Sequence, residues 1–266
     1  MTANPLRQGK VYLVGAGPGD PGLLTVRALR LLQTADVVFH DDLVPAEILA
    51  LIPEQVYVQN VGKRCGYARA VQQQIHALMI NAAREGFTVV RLKSGDPLIF
   101  GRAGEEIAAL REAGIEYAIV PGITAAFGAA ARAGIPLTDR RLASKLVFLS
   151  NHQCAGKSLF DCKGTLSADT TAVIYMPGPN YEELAARLSE QGFEPATPCL
   201  LVSHATTKAQ QVHLARLTNL AAAPRLAAPV VLIVGAVAAA YQRELRVSSE
   251  ASDGERLDMD LELAGA

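Results

Sequence analysis

Five short runs rich in Val and Ile alternate with helical patterns through the first half of this 266-residue chain, and that alternation restricts the fold more than any other feature. The runs are Val11 to Val14, Asp36 to His40, Gln55 to Val61, Thr88 to Lys93 and Glu116 to Val120. Their apolar stretches are too continuous for a sheet with one wet face. Between them lie helix-like stretches at Leu23 to Thr34, Pro45 to Leu51, Ala70 to Arg84 and Gly104 to Ala113. Repetition of β then α implies a parallel sheet covered on both faces.

The second half repeats the theme less regularly. Leu146 to Leu149, Ala172 to Met176, Cys199 to Ser203, Gln211 to Leu217 and Val230 to Val234 read as strands, with a clear helix at Tyr181 to Gln191. Two of those strands flank the polar turn His204 to Ala209, which predicts a hairpin and a mixed sheet. Two α/β domains are therefore expected, an N-terminal one over residues 1–125 with a parallel sheet and a C-terminal one over 126–246 with a mixed sheet. They are expected to join near 122–136, with a cleft between them.

Composition agrees with an ordinary globular chain: 50% of residues are hydrophobic and 19% charged, enough to fill the cores of two medium domains. Met1 to Lys10 has no apolar h-region, and the most apolar stretch, Leu226 to Tyr241, is broken by Pro229 and Gly235, so it reads as a buried strand followed by a helix. Cysteines at 65, 154, 162 and 199 show no C-x-x-C spacing, and the expected compartment is a reducing cytoplasm. From Val247 onward six acids face one base, Arg256, which leaves a mildly basic body. That balance suits a local basic pocket and is too weak for general nucleic-acid binding. The acidic tail 247–266 has no aromatic residue and is expected to be disordered.

Function concentrates at the strand ends. The first strand runs into Gly15-Ala16-Gly17-Pro18-Gly19-Asp20-Pro21 and the second into His40-Asp41-Asp42. The third, fourth and fifth run into Gly62-Lys63-Arg64, Ser94-Gly95-Asp96-Pro97 and Pro121-Gly122-Ile123-Thr124. Ligands of parallel α/β sheets bind outside the carboxyl ends of the strands, so this edge is the expected active-site face. A dinucleotide is disfavoured: Asp20 stands where the third glycine of the fingerprint would be, and an acid there repels a pyrophosphate. Each residue also has a purely structural reading. The glycines could make only a tight turn, Asp41 and Asp42 could cap the helix that follows, and Lys63 and Arg64 could be solvated charges. His152, Cys154 and Cys162 lack the spacing of a zinc site, and no metal is expected.

Taken together, Val11 to Pro21, Val61-Gly62-Lys63-Arg64, Arg91 to Arg102, Val120 to Ala125 and Ala133 to Thr138 resemble the uroporphyrinogen-III C-methyltransferases, a branch of the tetrapyrrole (class III) methyltransferases. The resemblance covers roughly Lys10 to Tyr241. It implies S-adenosylmethionine as methyl donor and two successive methylations of uroporphyrinogen III to precorrin-2, on a route to siroheme and cobalamin. It also implies a homodimer with no nucleic-acid or membrane partner.

Carried over by position, the resemblance makes Asp41 the proton acceptor and Lys63 the proton donor. Pro18, Ser94, Gly95, Asp96, Ile99, Thr124, Ala125, Met176 and Ala205 become cofactor contacts. Arg64, Lys93 and Arg102 are the expected partners of the substrate's eight carboxylates. Departures from the family pattern are His40 and Asp42, where relatives have Tyr and Arg, and Ser94, Ala103 and Ala205, where relatives have glycine. The alternatives left open are methylation of another corrin precursor and a tetrapyrrole- or cofactor-binding protein without turnover.

Overall fold

A computed structural model describes residues 9–62, 68–151 and 166–241. They form two compact units. The first ends at Gly128 and takes in His204–Lys208; the second starts at Ala129, breaks off after Ser203 and resumes at Ala209.

The first unit is built on five parallel strands, β1 (Lys10–Gly15), β2 (Val37–His40), β3 (Tyr57–Asn60), β4 (Thr88–Lys93) and β5 (Glu116–Val120), in the order β3-β2-β4-β1-β5. Four of them match the expected runs to within one residue at each end; β3 is shorter by two residues at its start and one at its end. It is an edge strand, with Tyr57 and Val58 exposed.

Side chains alternate across these strands, and both sheet faces are dry. On one face Val14, Val38, Val90 and Leu92 pack with Ala28 and Leu32 of α1 (Val26–Thr34) and Ile48 of α2 (Ala46–Leu49). On the other, Val11, Leu13, Val37, Phe39 and Val89 pack with Ile75 and Met79 of α3 (Ala68–Arg84) and Leu110 of α4 (Ala103–Glu112). The residues of β4 with odd numbers point to this second face, which carries Arg91 and Lys93 inward along with Val89.

The helix expected from Leu23 divides in two. A 3₁₀ turn at Pro21–Leu23 comes first, and α1 then begins after Thr25, whose Oγ1 accepts from the Ala28 N–H at 3.2 Å. A threonine cap is the local reason for a start at Val26. The stretch near 122–136, read as a junction, holds a further helix, α5 (Ala125–Arg132). Its alanines favour a helix strongly, while Pro121, Gly122 and Gly128 disguise it as a loop.

In the second unit β6 (Lys145–Ser150), β7 (Thr170–Tyr175), β8 (Pro198–Ser203), β9 (Gln211–Arg216) and β10 (Val230–Val234) are ordered β6-β7-β10-β8-β9. Only β6 and β7 are parallel; the last strand lies in the middle, antiparallel to both neighbours, and β8 with β9 forms the expected hairpin. One face packs Ile174, Cys199, Leu201 and Leu232 against Tyr181, Leu184 and Leu188 of α6 (Tyr181–Glu190). After β10 the expected helix is a 3₁₀ turn, Ala236–Ala239. Cys154, Cys162, His152 and the tail 247–266 lie outside the described residues. No helix among the described residues is long and apolar enough to cross a membrane.

Burial pushes the Cys199 thiol up to about 12, so it is protonated and without solvent access. Thiolate is the reactive species. Alkylation at pH 8 followed by peptide mapping is expected to leave Cys199 unmodified in the folded protein and to modify it in denaturant.

Candidate active site

The carboxyl ends of β1, β4 and β5 meet through bare backbone. Ala16 N–H donates to the Lys93 carbonyl at 2.7 Å, and Gly17 and Gly95 exchange a pair of bonds at 3.1 and 2.8 Å. A Cβ on Gly15 would lie 2.5 Å from Gly122 N, and one on Gly122 would lie 2.3 Å from the Gly95 carbonyl oxygen. No other residue fits at either position. Gly95 is glycine for a different reason: its φ is +68°, while an added Cβ would meet nothing closer than 3.7 Å.

Asp96 uses its carboxylate to hold this arrangement together. Oδ1 accepts from Leu98 N–H at 2.8 Å and Oδ2 from Gly122 N–H at 3.1 Å, which ties the β4 loop to the β5 loop. Asp20 is likewise occupied. Its carboxylate accepts from Gly22 N–H at 2.8 Å and caps the 3₁₀ turn, while its own N–H donates to Thr206 Oγ1 at 3.0 Å. Thr206 belongs to His204–Lys208, which crowds the same loop: a Cβ on Gly19 would lie 2.5 Å from Thr207 Cγ2, and one on Gly128 would lie 2.6 Å from Pro18 Cγ.

Backbone strain gathers in the segments that follow β4 and β8. Phe100, Arg102, His204 and Thr206 all have left-handed φ between 46° and 69°, and Met176, after β7 in the second unit, has φ 50°. Such conformations cost on the order of 1–3 kcal/mol each and persist where surroundings enforce them. Sequence reading had no signal for them. Ser94, Ala103 and Ala205 are not among the residues with positive φ, so their β-carbons bring no backbone strain.

Asp41 follows β2 and is partly exposed. It caps nothing: α2 has Pro45 at its N-cap and no side-chain cap bond. Its Oδ1 accepts instead from Arg91 Nη2. Arg91, 2% exposed, also donates from Nε to Glu106 Oε1 at 3.0 Å and from Nη1 to the carbonyls of Phe39 and Leu92. Lys93 is corrected by the structure. Expected to face substrate carboxylates, it is 3% exposed, and its ammonium is 3.0 Å from Glu106 Oε1 and 3.9 Å from Asp41 Oδ2. Desolvation, then the neighbouring Arg91 charge, pulls its pKa down, while the two carboxylates oppose that shift.

Glu106 was missed in the sequence, and a signal for it exists. It lies on the buried stripe of α4 between Ala103 and Leu110, opposite a strand that carries two bases on the face this helix covers.

Asp42 Oδ1 accepts from Asn60 Nδ2 at 2.8 Å, and Asn60 Oδ1 accepts from Gly62 N–H at 2.8 Å, so the acid joins the ends of β2 and β3. Arg102 is paired with Glu105 at 2.7 Å. Thr124 is buried, Pro18, Ser94, Ile99 and Ala125 are half-buried, and Ala205 is buried. Pro18, Ser94 to Asp96, Ile99, Thr124, Ala125 and Ala205 belong to the first unit, and Met176, exposed, to the second. Lys63 and Arg64 lie outside the described residues. Among the described residues no group of His, Cys, Asp and Glu could hold a metal ion.

Residues 10–221 match the family model for tetrapyrrole (corrin/porphyrin) methylases. The chain belongs to that family. It is 49% identical over 235 residues to the uroporphyrinogen-III C-methyltransferase of Paracoccus denitrificans, covering 87% of this chain and 82% of that protein. It is 45% identical to the siroheme synthase of Nitrosococcus oceani over 88% of this chain, but spans only 51% of that longer protein. Among solved structures, the uroporphyrin-III C-methyltransferase of Thermus thermophilus complexed with S-adenyl homocysteine superposes with a TM-score of 0.74 at 38% identity, covering 86% of this chain and 98% of that one.

The glycine contacts make a contrast that can be measured. Gly122→Ala is expected to cost about 1–3 kcal/mol in denaturant unfolding through the clash with Gly95. Gly104→Ala, a helical position with nothing within 4 Å of the new Cβ, is expected to be neutral or stabilising by about 0.5–1 kcal/mol.

Proposed function

We propose that this protein transfers methyl groups from S-adenosylmethionine to two carbons of uroporphyrinogen III in turn, giving precorrin-2. The observation that carries the reading is the carboxyl edge of the first sheet. There a glycine-lined backbone platform lies beside a carboxylate, Asp41, that is held by a buried arginine and still reached by solvent.

The loops 15–20, 94–96 and 121–125 contain no lysine or arginine. A donor set of backbone groups and small side chains suits a sulfonium, whose positive charge a nearby cation would repel. In this reading Pro18, Ser94, Gly95, Ile99, Thr124, Ala125 and Ala205 contact the methyl donor. Asp96 is a contact in the same reading and also shapes the loop, since each of its oxygens accepts one backbone bond and keeps room for another. Leu43, Leu98 and Phe100 are exposed after the neighbouring strands β2 and β4 and offer apolar surface for a macrocycle. Arg102 and Arg64 meet its carboxylates.

The bound donor supplies an electrophilic methyl on a positively charged sulfur. A pyrrole carbon of the substrate forms the new C–C bond with its π electrons, the C–S bond breaks, and that electron pair stays on sulfur as a neutral thioether. The substrate ring is left cationic and must lose a proton. Asp41 accepts it, and Lys63 is the donor where a proton is returned. General-base help of this kind is worth about 10²–10⁴ in rate. A homodimer is part of the proposal, as is a role before the remaining steps of siroheme or cobalamin synthesis.

Anaerobic incubation with S-adenosylmethionine and uroporphyrinogen III, read by mass, is expected to show two added methyl groups. No methylation would refute the reading. Asp41→Asn is expected to keep fold and donor affinity and to lose turnover by about 10²-fold or more.

Asp42 adds a negative charge where an octa-acid is to bind. Asp42→Asn keeps an acceptor for Asn60 and removes that charge. Steady-state kinetics is expected to show a KM for uroporphyrinogen III lower by several-fold with donor affinity unchanged, and an unchanged KM would place the Asp42 carboxylate away from the substrate.

A further inference from the structure

The buried pair of cations beneath Asp41 has a partner whose part in the reaction is not given by any of the carried-over roles. Arg91 and Lys93 bring two positive charges into the interior on neighbouring same-face positions of β4, and Glu106 of α4, 0% exposed, meets both with a single oxygen, Oε1, at 3.0 Å from each. Gln72 Nε2 of α3 lies 3.4 Å from that same oxygen and 3.3 Å from His76 Nε2. Burial lowers the pKa of His76 against the pull of Glu106 and Glu105; beside it the cluster holds two cations, Arg91 and Lys93, and two carboxylates, Glu106 and Asp41.

The geometry gives each member a separate task. Arg91 is spanned: Glu106 fixes Nε, the carbonyls of Phe39 and Leu92 fix Nη1, and Nη2 is thereby aimed at Asp41 Oδ1. Lys93 stands between the two carboxylates, bonded to Glu106 and 3.9 Å from Asp41 Oδ2. Without the charge on Glu106, the buried ammonium has one carboxylate left to approach, that of Asp41 through Oδ2.

We propose that Glu106 is a positioning residue for the proton-transfer step: it holds Arg91 on one oxygen of Asp41 and keeps Lys93 off the other, so that Oδ2 stays available to take up the proton. This rests on the reading of Asp41 as proton acceptor.

Glu106→Gln tests it with little disturbance of shape. Oε1 remains an acceptor, and Oε2 has no hydrogen-bond donor among the described residues, so the new amide nitrogen displaces no bond. The expected result is a kcat lower by about 10- to 100-fold, the range for a displaced catalytic group, with the KM for uroporphyrinogen III and the calorimetric affinity for S-adenosylmethionine within about threefold of the original. Adding Lys93→Met removes the released ammonium and restores charge balance. It is expected to recover about tenfold of the lost kcat, which a merely structural role for Glu106 does not predict. In an Asp41→Asn background Glu106→Gln is expected to cost nothing further.

Wild-type kcat in Glu106→Gln, or no recovery on adding Lys93→Met, overturns the proposal while leaving Asp41 as acceptor. Wild-type kcat in Asp41→Asn overturns the underlying reading instead. Should Glu106→Gln fail to fold, the charge-balanced double variant and Arg91→Lys carry the test. Lysine at 91 lacks the planar fork that holds Glu106, two carbonyls and Asp41 on separate nitrogens, so a kcat loss at constant KM is expected there too. Failure of all three to fold would make the cluster a device for stability alone and overturn the proposal.

Discussion

The site depends on one steric constraint, the approach of three strand ends at backbone distance. Gly15, Gly95 and Gly122 come together where a single added β-carbon at 15 or 122 would collide with main-chain atoms at 2.3–2.6 Å. At Gly15, Gly95 and Gly122 main chain meets main chain with no side chain between. Asp96 then locks the β4 and β5 loops together with both carboxylate oxygens. A small ligand at this edge meets a preformed surface, which lowers the ordering cost of binding.

Beneath that platform lies a second constraint, of charge. Two bases on the buried face of β4 are costly to desolvate, and two carboxylates, each within reach of both bases, offset that cost. Glu106 and Asp41 answer that need in different ways, one fully buried and one at the surface. The same pairing that lets Arg91 remain inside also sets the direction of the Asp41 carboxylate. Stability and orientation therefore come from one set of contacts in this unit.

Much of this was legible in the sequence where patterns are local. Continuous apolar runs and the polar residues that end them located the strands and the edge on which Asp41 sits. The α5 helix was obscured because Pro121, Gly122 and Gly128 read as loop formers, although Gly128 is needed for contact with Pro18 across many residues of sequence. Lys93 was misread for a related reason. Its charge suggests solvent or ligand, and its true partner, Glu106, is known only once α4 packs on that face of the sheet.

By itself the sequence determined the ten strands of the described residues, the parallel character of the first sheet, the mixed character of the second and the strand ends that carry the chemistry. Those follow from side-chain period and turn residues, which act over a few positions. Tertiary structure decided the strand order that brings β4 between β2 and β1, the placement of β10 at the centre of its sheet, and the fates of Asp20, Asp42, Lys93 and Asp96. A charged or polar side chain is committed by whichever partner the packing brings within about 3 Å, and partners drawn from distant segments leave no periodic trace along the chain.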